Sequence, residues 1–138
     1  MIAIEKIYCS FELSKLLKEK GFNEYSFFFY NNKKELDSIG KALNNASIDE
    51  GHDYGMRTKC EVSAPTHEEA IIWLKENHNI WIYCYPSNWK EYGEWEGGAC
   101  WIDENVSVIF NNSSHSLYAN EPEEVIEMVL LYVLRNII

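Results

Sequence analysis

Two spacings of apolar side chains run along this chain, one near 3.6 residues and one of two, and each marks a different kind of element. Leu13, Leu16 and Leu17 share one stripe of a segment that Ser10 can cap. Gly21 suits the left-handed position beyond it, and Phe22 supplies the apolar residue that follows, so a helix is predicted over Phe11–Lys20. Tyr25–Tyr30 is dense in aromatics and reads as a strand buried on both faces. Asn32 with Glu35 resembles a capping box, which predicts a helix carrying Leu36, Ile39 and Leu43. Asn44–Tyr54 has no period and is polar, so a flexible loop is expected over about 44–57.

Lys59–Ser63 is a short strand candidate. Pro65-Thr66-His67-Glu68-Glu69 then opens a helix, with Thr66 as cap, Glu69 closing the box, and Ala70, Ile71, Trp73 and Leu74 on the apolar side; it is expected to stop near Asn77–Asn79. The strictest alternation lies at Ile80–Tyr85, with Ile80, Ile82 and Cys84 on one face of a strand and Trp81, Tyr83 and Tyr85 on the other. Pro86–Gly98 reads as a connection. Ala99–Ile102 and Val106–Phe110 read as a hairpin about Asp103-Glu104-Asn105, and Asn111–Asn120 as a polar loop. Pro122, with Glu123 and Glu124 in the first turn, opens a last helix to about Asn136. Its residues from Val125 to Leu134 are apolar on nearly every side, which leaves two placements open, the centre of a core or a contact with a second copy. Helices interspersed with short meander strands predict an α+β fold, a single domain with a largely antiparallel sheet of about four to five strands packed with three to four helices.

The 138 residues carry 12 Lys+Arg against 22 Asp+Glu, net −10, which argues against nucleic-acid backbone or an anionic membrane as partner. The excess is uneven: residues 1–69 hold nine basic and twelve acidic side chains, residues 70–138 three and ten. The longest apolar run, Met128–Leu134, is too short to span a bilayer. Cys9, Cys60, Cys84 and Cys100 lie 51, 24 and 16 positions apart and form no metal-ligand pair. With no basic and apolar leader at Met1–Ala3, reduced thiols in a cytoplasmic protein are expected.

Catalytic candidates are sparse. Gly97-Gly98-Ala99-Cys100-Trp101, with His115 fifteen positions on, has the look of a nucleophilic-cysteine turn, but a helix to lower the thiol pKa is missing after it. His52, His67 and His78 form no ligand spacing, and no phosphate loop, HExxH, GxSxG or EF-hand pattern is present, so no cofactor and no metal is expected. The aromatic set carries more content. Trp81, Tyr83 and Tyr85 on one strand face are followed by Trp89, Tyr92, Trp95 and Trp101, and flat rigid side chains of this kind stack on bases or anchor interfaces.

Cys9–Phe22 (CSFELSKLLKEKGF) and Ser63–Tyr85 (SAPTHEEAIIWLKENHNIWIYCY) resemble a group of short proteins encoded by phages and prophages of gut Bacteroidetes. The resemblance covers 37 of the 138 residues and implies a mobile-element accessory protein in a bacterial cytoplasm; it assigns no residue a role. The expectation is therefore a non-catalytic binding protein, a homo-oligomer through the helix at 121–138. It would hold a small nucleotide-type ligand, or a host protein, with Trp81, Tyr83, Tyr85, Trp89, Trp95 and Trp101 as the contact surface, and counter-defence is the natural use. Two other classes stay open: an acidic inhibitor of a host protein, and an enzyme built on Cys100 and His115.

Overall fold

The computed structural model describes residues 6–24, 26–38, 53–54, 58–102, 107–108 and 116–138. Three helices, α1 (Phe11–Glu19), α2 (His67–His78) and α3 (Pro122–Asn136), and eight short strands make up the described elements. The class is α+β with antiparallel pairing throughout, and the strands, more numerous than expected, form two four-stranded sheets. The chain divides into two compact units, Met1–Thr66 and His67–Ile138.

In the first unit the Ser10 hydroxyl accepts from the Leu13 N–H at 3.1 Å and opens α1. At the other end Gly21, at φ 105°, lets its own N–H reach the Lys18 carbonyl and the Phe22 N–H the Leu17 carbonyl, which satisfies two carbonyls the helix leaves over. The sheet runs β2 (Leu36–Ser38), β1 (Phe28–Asn31), β4 (Thr58–Ser63), β3 (Asp53–Tyr54). Leu13, Leu17, Phe22, Phe29, Tyr30 and Val62 are buried, and the Tyr30 hydroxyl donates to the Cys9 carbonyl at 2.6 Å.

Two expectations change here. The strand at Tyr25–Tyr30 is confined to Phe28–Asn31, and Phe27 is 60% exposed. The helix expected after Asn32 is absent at 36–38, where β2 pairs Leu36 with Tyr30 and Ser38 with Phe28; Ile39, Gly40 and Leu43 lie outside the described residues. The reason lies one residue earlier. Asn31 accepts from the backbone N–H groups of Lys33 (2.8 Å) and Glu35 (3.0 Å), and Lys34 sits at φ 63°, so the polar stretch closes a hairpin turn rather than capping a helix.

In the second unit α3 packs on one face of a sheet. β5 (Ile80–Pro86) pairs along its whole length with β6 (Trp95–Trp101), whose other edge takes β8 (Leu117–Ala119) at Trp95–Gly97 and β7 (Ser107–Val108) at Cys100–Trp101. Trp95–Gly98 therefore belongs to a strand, and the connection expected over Pro86–Gly98 shrinks to 87–94. The stretch expected as polar loop holds β8. The turn Asp103-Glu104-Asn105, the residues 109–115 and most of the 44–57 loop lie outside the described residues.

α2 ends where expected, with Asn79 in the left-handed region at φ 57° as the chain turns into β5. α3 lies against β5, β6 and β8 and touches α2. It buries Val125, Val129, Leu130, Val133 and Leu134, while Met128 on its flank remains 37% exposed. The helices are tied by a half-hidden polar contact, in which His67 Nε2 donates to Glu127 Oε1 at 2.8 Å.

Candidate functional site

The β5–β6 register sorts the candidate aromatic residues. Residues directly opposite one another in an antiparallel pair point to the same side. Ile80↔Trp101, Ile82↔Ala99, Cys84↔Gly97 and Pro86↔Trp95 thus share the side that meets α3, and Trp81↔Cys100, Tyr83↔Gly98 and Tyr85↔Glu96 share the other. Ile80, Ile82 and Ala99 are closed off from solvent, whereas Trp81 and Tyr85 are each 39% exposed. α3 approaches closely at Gly97, where a Cβ would stand 2.5 Å from Val125 Cγ1 and 2.6 Å from the Tyr83 carbonyl oxygen.

The six expected contact residues therefore do not form one surface. Trp81, Tyr83 and Tyr85 line up as predicted, and the Tyr83 and Tyr85 rings stack with centroids 6.2 Å apart. Trp95 and Trp101 sit on the helix side at the two ends of β6, half-buried. Trp89 lies in the turn between β5 and β6, where its N–H bonds the Ser87 hydroxyl and its indole is well exposed. The fifth tryptophan, Trp73, is buried in α2.

Two features sit on the aromatic side, one at each end. At the Trp81 end, Lys75, Trp81, Cys100 and Ile102 line an open groove of about 380 Å³. Lys75 reaches from α2 to place Nζ 5.8 Å from the centre of the Trp81 ring. Burial pushes the Cys100 thiol above its ordinary range, opposite to what a nucleophilic cysteine needs. Cys9, Cys84 and Cys100 are all free thiols; His115, the partner considered for Cys100, lies outside the described residues.

At the Tyr85 end, β8 brings Tyr118 opposite Glu96. Glu96 is only 4% exposed. Its carboxylate accepts the backbone N–H of Asn88 at 3.1 Å, and Tyr85 on β5 and Tyr118 on β8 are its cross-strand neighbours on either side. Tyr92 completes the group, its ring 5.4 Å from that of Tyr118. Burial and then neighbouring charge raise the phenol pKa values of Tyr85 and Tyr118; Glu96 disfavours the phenolate, while the hydroxyl of Ser116 works the other way on Tyr85. Tyr83 is raised too, by burial first and then by Cys100, Tyr85 and Glu96.

Glu96, Tyr118 and Lys75 escape a reading of the sequence. Glu96 alternates with Gly98 and Cys100, a weak two-residue signal inside a stretch that looks like a connection, and the pairing that brings Tyr118 to it joins residues 22 positions apart. Among the described residues there is no group of three or more His, Cys, Asp or Glu placed to hold a metal, and no helix long and apolar enough to cross a membrane. No family model, no curated protein and no solved structure matches the chain.

Proposed function

We propose that this protein is a non-catalytic binding protein that sequesters a small, flat, anionic ligand of nucleotide type on the aromatic side of its second sheet. The groove lined by Lys75, Trp81, Cys100 and Ile102 is the observation that supports this reading. It is open to solvent along its length, its walls are mainly apolar, and it offers one ring for stacking and one cation for a phosphate. Tyr83 and Tyr85 continue the same aromatic side and extend the surface available to a longer ligand. The phage or prophage setting implied by the resemblance gives such capture a purpose, counter-defence in the cytoplasm of a bacterial host.

The test is a titration of tryptophan fluorescence with a panel of mononucleotides, dinucleotides and cyclic nucleotides. Saturable quenching that Trp81→Ala weakens at least about tenfold, with Lys75→Met reducing the preference for phosphorylated over unphosphorylated ligands, is the expected result. No saturable response to any nucleotide, or an undiminished response in Trp81→Ala, overturns it. A host protein retained at low salt and lost at moderate salt would instead favour the acidic-inhibitor reading.

A further inference from the structure

The Tyr85 end of the same sheet is chemically unlike the groove. Its centre is an acid, Glu96, held at 4% exposure, and among the described residues no cationic side chain is bonded to it. The nearby lysine of the connection, Lys90, is paired with Glu94 at 3.1 Å and faces solvent. Beside Glu96 stand the rings of its cross-strand neighbours, Tyr85 on β5 and Tyr118 on β8; Tyr83 stacks on Tyr85, and Tyr92 in the connection lies against Tyr118. Tyr92 is 65% exposed, so the cluster is open to solvent on that side.

We propose that this tyrosine cluster is a second binding site, for an organic cation of the methylated-ammonium class. The ring faces carry negative potential, and the Glu96 carboxylate beside them, screened from water, adds to it in a medium of lowered dielectric. At 4% exposure, with the Asn88 N–H on one oxygen and Tyr85 and Tyr118 on its two flanks, the carboxylate is shielded from direct contact. A ligand therefore meets rings rather than carboxylate oxygens. That geometry suits a cation that needs no hydrogen bond, and it disfavours a compact ammonium or a metal ion, which would surrender hydration without replacement donors or acceptors. The site is separate from the nucleotide groove and does not depend on it: one end of the aromatic side presents a cation, Lys75, and the other a buried anion.

The probe is tetramethylammonium, titrated into the intact protein with the tyrosine ring signals followed by NMR, and with ammonium and potassium chloride as ionic-strength controls. Saturable shifts at Tyr85, Tyr92 and Tyr118 that the two controls do not reproduce are expected. Glu96→Gln, which keeps the shape and removes the charge, should weaken the affinity about tenfold, and Tyr92→Ala, at an exposed ring, about threefold. Trp81→Ala should leave this titration unchanged, which separates it from a failure at the groove. If Glu96→Gln does not fold, Tyr92→Ala alone decides. Shifts that are linear and equal for all three salts, an unaltered affinity in Tyr92→Ala, or one in a folded Glu96→Gln, overturn the proposal.

Discussion

The two sides of β5 and β6 are made of the same strands, yet they behave as different materials. On one side Ile80, Ile82 and Ala99 are sealed beneath α3; on the other Trp81 and Tyr85 keep more than a third of their surface in water. Intrinsic hydrophobicity does not account for the division, since tryptophan is the largest apolar surface on the strand. What covers each side accounts for it. Gly97 allows α3 to settle onto one side, while the other is finished with tyrosine rings and one buried acid. A closed side supplies stability, and an open aromatic one leaves its rings at the surface.

The sharpest way to break this contrast is to shorten neighbouring residues of one strand. Ile82→Ala, on the sealed side, should cost about 3–4 kcal/mol of stability in urea unfolding, from lost transfer energy and an unfilled cavity. Trp81→Ala, its neighbour on the open side, should cost about 1 kcal/mol or less, because its ring is already partly hydrated. Equal losses would show that the open side is core after all.

Gly97→Ala follows in size. The added methyl meets both Val125 and the Tyr83 backbone, and a loss of about 2–3 kcal/mol with α3 displaced is expected, read as a fall in thermal midpoint and altered α3 amide exchange. Glu96→Ala should cost about 2 kcal/mol, since the Asn88 N–H loses its acceptor and a buried side chain between Tyr85 and Tyr118 is removed. A neutral outcome would remove Glu96 as the joint between β5, β8 and the connection.

The smallest effect is in pH. Tyr83, Tyr85, Tyr118, Cys84 and Cys100 all hold their protons more tightly in the folded chain than in the unfolded one. Above the ordinary thiol and phenol values the folded chain therefore binds more protons than the unfolded chain, and stability must fall as pH rises. Urea midpoints should drop between about pH 8.5 and 10.5, less steeply in Tyr118→Phe. A midpoint that rises over that interval would contradict the burial of these five groups.

Local signals carried much of the architecture. The α1 stripe with Ser10 and Gly21, the start of α2 after Thr66, the alternation of β5 and the Pro122 start of α3 all appear where apolar spacing and terminal chemistry put them. These rest on interactions within a few residues, so neighbouring positions suffice to specify them. Where two local solutions competed, spacing did not decide. The polar run after β1 satisfied the pattern of a helix cap, but Asn31 bonded two amides of the run, and β1 offered Leu36–Ser38 a paired edge, so a hairpin formed.

The candidate site divides along the same line. The row Trp81, Tyr83 and Tyr85 is a consequence of strand geometry and was readable in the sequence, whereas their separation from Trp95 and Trp101 follows from the β5–β6 register, which no single strand contains. The meeting of Tyr85 and Tyr118 at Glu96, the reach of Lys75 across Trp81 and the seat of α3 on Gly97 were decided by tertiary structure alone. Each joins segments whose meeting depends on pairing and packing of the whole unit. Sequence period sets which way a side chain points, and only the assembled layers set what it meets there.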